Sequence, residues 1–310
     1  MFIIRFSKLV LFLFNVSFSG LVSGCGMIKS AGEKLSPTTL ISKIKPRAAH
    51  LKKRIIVFDP VDQAGYGPET AAGISEVMKK SFEKNSRFII QPSPQDLEWA
   101  EAEGGIDLGI AAPVEVLDYS SEKGISSIVT LVLSPVENTP KTTGIWPFKS
   151  QSIVFSIPVR LTDLDVASGT ILYSSAVIEE ETMKLIDAEM STDRELLDKF
   201  AERIKSDIVP QQVDKVIEKM DRHRWKGKIL SFEEGRATIN AGTDIGAKKG
   251  SRFEVLNEGI QVQTKEERTL TVPGRVLGEL VITLPGTQTS VAEPVDNRDF
   301  ESGLYIRYKP

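Results

Sequence analysis

The sequence predicts an α/β domain built on a mixed sheet, followed by a small all-β, barrel-like domain, and three observations carry that expectation. Strand-like and helix-like patterns alternate as far as residue 221, whereas beyond it short β-branched runs recur between closely spaced glycines. One strictly alternating segment, Ile153, Phe155, Ile157, Val159 and Leu161, marks a half-buried strand. With 310 residues, 41% hydrophobic and 26% charged, the chain has apolar side chains enough for two modest cores.

Each element follows in order. Ile55, Ile56 and Val57 form a β-branched run closed by Pro60, which reads as a buried strand. Gly65, Tyr66 and Gly67 break the chain, and Pro68 suits the first turn of a helix with Ile74, Val77, Met78 and Phe82 on one face. Phe88, Ile89 and Ile90 start a second strand, residues 94–102 a short acidic helix, and Gly104 with Gly105 a break. Residues 125–136 form a third strand region, followed at 137–152 by a polar, proline-containing loop with Trp146, Pro147 and Phe148 in its middle. The alternating strand runs on to Leu164, Asp165 to Gly169 supply turn chemistry, and residues 170–178 return as the hairpin partner. Pro158 places it at an edge or bulge, and Glu179, Glu180 and Glu181 interrupt any longer alternation. Thr192 and Glu195 make a capping box for a helix bearing Leu196, Leu197, Phe200, Ala201, Ile204 and Ile208. Pro210 ends that helix, and a last turn or two carries Val213, Val216, Ile217 and Met220. Strands are then expected at 229–232, 237–240, 253–256, 260–262, 276–284, 289–292 and 304–308. Gly242, Gly246 and Gly250, four residues apart, read as backbone devices.

Charge and cysteine usage narrow the function. Against 42 Asp+Glu stand 39 Lys+Arg, so no positive field draws the chain to nucleic acid. One cysteine and two distant histidines, His50 and His223, cannot form a Cys/His zinc site or a CxxC pair. Neither histidine sits beside a nucleophile motif, so no enzyme, metal or cofactor is expected. At the N-terminus Arg5 and Lys8 precede an apolar run over 9–14, the form of a secretory signal peptide over 1–24 and too short for a spanning helix. Leu21, Val22, Ser23, Gly24 and Cys25 resemble the lipobox of bacterial lipoproteins, in which small residues admit the signal peptidase and the cysteine thiol is acylated. By that resemblance Gly26 favours outer-membrane sorting, so the protein is expected to be lipid-anchored on the periplasmic side. Residues 25–53, rich in Ser, Lys, Pro and Gly, read as a tether with a short helix at 38–44, its reach roughly 30 Å if flexible.

The segment 54–221 resembles the periplasmic domain of curli-secretion (CsgG-like) lipoproteins, the N-terminal domain of TolB and the middle domain of flagellar assembly protein T. The resemblance lies in the opening strand, in Arg87 to Ile90, and in the hairpin Arg160, Leu161, Asp163, Gly169 and Leu172. The segment 222–310, with Gly242, Gly246, Gly250 and Phe253, is similar to the C-terminal domain of flagellar assembly protein T. These resemblances imply a non-catalytic scaffold in assembly or secretion of a surface structure. The alternative they imply is a lipoprotein activator of a peptidoglycan synthase. An envelope or appendage protein, and a homo-oligomer, are the partners implied. A curli-type pore needs about 9–11 alternating residues per crossing strand, which residues 137–152 do not supply.

Each of five candidate sites has a plainer reading beside the functional one. Trp146 and Phe148 either tuck onto the body or contact a partner. Gly65 and Gly67 either form an ordinary turn or offer amides to an anion. Asp59 with Asp62, and Asp163 with Asp165, read as turn carboxylates rather than an acid/base pair. Arg222, His223 and Arg224 read as a solvated linker face, with an anionic glycan or a partner as the other option.

Overall fold

The computed structural model describes residues 50–92, 114–257, 259–263, 269–272 and 274–310. The leader, Cys25, the tether helix at 38–44, and the acidic helix at 94–102 with its Gly104 break lie outside the described residues. Residues Arg47–Pro310 form one compact unit.

The first layer is a mixed seven-stranded sheet with order β3-β1-β4-β6-β5, where the two-residue β2 (Val61–Asp62) also pairs with β4 and β7 with β6. Strand β1 (Lys53–Val57) runs parallel to β3 (Phe88–Gln91) on one side and to β4 (Ile125–Leu133) on the other. A strand so placed is covered on both faces, which is why its apolar residues are continuous rather than alternating. Ile55 and Val57 join the main core, while Ile56 joins a smaller cluster on the opposite face. That face is covered by α2 (Val114–Glu122) through Val116. The main core is closed by α1 (Pro68–Glu83), which contributes Ile74, Met78 and Phe82, and by a long C-terminal helical run.

That run begins at α4 (Asp193–Arg203), where the Thr192 hydroxyl accepts from the Glu195 amide and the Glu195 carboxylate from the Thr192 amide, as expected. Pro210 does not end it. A π-helical segment, Ile204–Ile208, intervenes, and the chain runs on helically through the proline, which stands in the first turn of α5 (Val209–Met220). Val213, Val216 and Met220 remain fully buried against the sheet.

Strands β6 (Ser150–Asp165) and β7 (Thr170–Lys184) pair along almost their whole lengths. The other edge of β6 is shared: residues 159–165 pair with β4 and residues 150–156 with β5 (Glu137–Thr143). Pro158 stands at the hand-over, where its carbonyl accepts from the Ser134 amide and its missing N–H interrupts no ladder. Residues 137–152 are therefore a strand, a tight turn and the start of the next strand rather than a loop. The three glutamates do not end β7, because Glu179 and Glu181 take the helix-facing positions and pair with Arg203 of α4, Glu181 also with Lys199. Cations from the covering helix make an acidic run compatible with a strand. A short helix, α3 (Leu185–Met190), follows β7 directly.

The second layer is a closed antiparallel barrel with strand order β10-β13-β14-β9-β8-β15. Its strands are β8 (Lys226–Glu233), β9 (Arg236–Ile239), β10 (Arg252–Leu256), β13 (Val276–Pro285), β14 (Ser290–Pro294) and β15 (Tyr305–Lys309). Phe253, Leu280, Ile282 and Ile306 fill it. The segment expected at 260–262 is not a barrel stave: β11 (Ile260–Gln263) pairs only with β12 (Thr269–Val272), which the sequence reading lacked.

Arg54 joins the layers. Only 3% exposed, it donates from Nη2 and Nε to the two carboxylate oxygens of Asp244 at 2.8 and 2.9 Å, and from Nη1 to the Asn240 carbonyl at 2.9 Å. Asn240 in turn donates from Nδ2 to the Ser121 carbonyl at 2.7 Å. Leu51, just before β1, packs in the barrel core.

Candidate docking site

Beyond β4, the first half of β6 with β5 and the far half of β7 forms a three-stranded wing; β5 is exposed along its whole length. Seven residues of extended strand give the wing a length of about 20 Å. Its underside is held by Phe155 and Met183, which pack onto the main core. At the end of the wing, Gly144 takes a positive φ of 93° and the Phe148 amide donates to the Ile145 carbonyl at 2.7 Å. A Cβ on Gly144 would meet the Phe148 carbonyl oxygen at 2.1 Å, so this turn requires glycine. The turn leaves Ile145, Trp146 and Phe148 82–83% exposed. Neither Trp146 nor Phe148 packs onto the body.

The other candidates have local explanations. Asp62 accepts from the amides of Ala64, Gly65 and Gly67 at 2.9–3.1 Å, so the chain's own carboxylate takes the donors an anion at Gly65 and Gly67 would need. Asp59 accepts from the Ser75 hydroxyl at 2.5 Å and from Lys79 at 3.2 Å, and the Ser75 bond holds its pKa below the usual value. Arg222 pairs with Glu218 one helical turn back, and Arg224 with Glu254. His223 has its pKa lowered by burial first and by Lys53 second.

Asp163 departs from the turn reading. It is fully buried between Val129 of β4 and Tyr173 of β7, and neither carboxylate oxygen has a hydrogen-bond partner of good geometry. Burial pushes its pKa up to about 7, against the pull of the Ser127 hydroxyl and Lys53. Lys53, whose ammonium donates to the Met220 carbonyl, is moved down to about 8 by burial. Asp165 does perform a turn role, accepting from Ser168 at 2.5 Å, and also receives Lys226 of the barrel at 3.0 Å. Among the described residues no group of three His, Cys, Asp or Glu side chains could hold a metal ion, and no helix is long and apolar enough to cross a membrane.

The sequence reading missed Arg54, Asn240 and Asp244, because an arginine inside an apolar run carries no sign of its partner 190 residues away. Leu21, Val22, Ser23, Gly24 and Cys25 lie outside the described residues.

No protein-family model matches the chain, and no curated protein does. Among solved structures, lipoprotein GNA1162 from Neisseria meningitidis is 11% identical, with 55% of this chain and 99% of that one covered and a TM-score of 0.25. The PelC dodecamer from Paraburkholderia phytofirmans is 13% identical, with coverage of 53% and 91% and a TM-score of 0.27. The LpoB C-terminal domain from Salmonella enterica is 14% identical, with coverage of 46% and 93% and a TM-score of 0.26. Overlaps of that size define neither a shared fold nor a shared function, and the reading below rests on this chain's own residues.

Proposed function

We propose that this protein is a non-catalytic lipoprotein of the bacterial envelope, anchored through Cys25 to the outer membrane on its periplasmic side, where it serves as a scaffold in assembly or secretion of a surface structure. The observation that supports a scaffold is the wing: 16- and 15-residue strands are extended past the core and stiffened by β5, only to present three exposed apolar side chains at a turn. Trp146 and Phe148 are the wing's contact residues, since large exposed aromatic side chains carry much of the energy of the surfaces they join.

The anchor is the sole cysteine, Cys25, behind an apolar leader and four small or aliphatic residues. One acyl chain holds a protein to a bilayer only marginally, and two or more hold it firmly, so a multiply acylated Cys25 fixes the scaffold in place. Fractionation of cells expressing Cys25→Ala tests this. The variant is expected in the soluble periplasmic fraction, and retention in the membrane pellet as firmly as the parent refutes the anchor.

A further inference from the structure

We propose that residues 145–148 at the end of the wing seat in the interfacial layer of an anionic lipid bilayer, with Lys141 and Lys149 at the headgroups. The inference rests on the anchored reading for its setting and deepens it by naming what the wing touches. Composition is the first argument. Trp, Phe and Ile beside Lys is the composition of membrane–water boundaries, where aromatic rings lie at headgroup depth and ammonium groups reach the phosphates. From Asn138 to Thr162 the chain has Lys141, Lys149 and Arg160 and no carboxylate, in a protein where carboxylates outnumber cations. Neither Lys141 nor Lys149 is held in an ion pair among the described residues, so both charges are available to an anionic surface.

Shape is the second argument. A stable protein interface needs about 800 Å² from each partner, more than a four-residue convex turn supplies without the strands behind it, whereas a lipid surface accepts the tip alone. Depth is the third. Strand β5 has seven residues, all exposed and interrupted by Pro140, against about 9–11 apolar-alternating residues for a crossing strand, so the wing dips and does not span. The neighbouring α3 exposes Ile186 and Met190 but also carries Asp187 and Glu189, and so stays outside the inserted face.

The test uses residues 26–310, which contain the whole compact unit and lack both the apolar leader and Cys25. Vesicles of phosphatidylethanolamine and phosphatidylglycerol at three to one, and of phosphatidylcholine alone, are mixed with the protein and floated. The protein is expected to float with the anionic vesicles and to be released by salt. Trp146→Ser combined with Phe148→Ser is expected to weaken binding about tenfold or more at an unchanged melting temperature. Lys141→Gln and Lys149→Gln are each expected to weaken it about fivefold. No flotation of the parent overturns the proposal, as does equal flotation of the double aromatic variant. Flotation unchanged in that variant, together with loss of a cross-linked protein, assigns the tip to a protein partner instead. Because Cys25 is absent from this chain, the outcome is independent of the fractionation result for the anchor.

Discussion

Asp163 is a carboxylate buried in the middle of the sheet, with Ser127, Asp165 and Lys53 acting on it. Its pKa, ordinarily 3.8, is raised to about 7 by burial, so the folded protein holds a proton there that the unfolded chain gives up. Between those values unfolding releases a proton, and stability must fall as the pH climbs from about 4 to about 7 and level off above. Lys53, lowered to about 8 by burial, has the opposite sense: its contribution rises with pH between about 8 and its ordinary 10.5. Thermal melts of the parent and Asp163→Asn at pH 4.5 and pH 7.5 separate the two. The parent is expected to lose melting temperature over that interval, and the variant to lose less. An identical drop in both would show that Asp163 is ionised in the folded state across the range. The sequence placed this residue at a hairpin mouth because it stands two positions before a turn aspartate. The register instead makes it a central rung between β4 and β7.

Among the elements, the ones read correctly were those whose pattern is local. The capping box at Thr192, the proline-led α1 and the alternating centre of β6 each declare themselves within a few residues. What misled was context supplied from elsewhere. Glu179 and Glu181 look like strand breakers until Arg203 and Lys199 arrive from α4, and Pro210 looks like a helix stop until the π-helical segment realigns the chain. The tip of the wing was half legible: its aromatics stood out, while the strand beneath them did not, since residues of β5 are polar and exposed on both faces. The barrel glycines divide in the same way. Gly246 and Gly250 have positive φ, as their spacing suggested, but Gly242 is extended and is glycine because a Cβ would lie 2.0 Å from the Thr287 carbonyl oxygen. Gly246 has open space around its Cβ direction, so Gly246→Val tests backbone strain alone, and a loss of about 1–3 kcal/mol in stability is expected by denaturant titration. Unchanged stability would show that the turn accommodates a β-branched residue.

At the scale of the whole molecule, the clasp at Arg54 decides how far the sheet and the barrel act as one body. The guanidinium bonds to Asp244 in fork geometry, to the Asn240 carbonyl, and at 3.1 Å to the Gln288 carbonyl, all in the second layer. Removing it leaves several acceptors in a nearly dry seam without their donor. Arg54→Ala is expected to cost about 3 kcal/mol or more. Calorimetry is also expected to show α/β and barrel transitions that separate in the variant. A variant as stable as the parent, with an unchanged transition profile, would mean that Leu51 and the other seam contacts suffice without it.

The position of β1 adds a mechanical consequence. It is the first strand among the described residues, it lies between two parallel neighbours, and Arg54 near its start is pinned to the barrel. Tension applied from the N-terminal side therefore reaches an interior strand of the sheet rather than an edge. The hydrogen bonds on both sides of β1 are loaded together, along the strand, instead of being peeled one at a time. A body held by its leading end in this way resists tugging where a sheet entered through an edge strand would unzip.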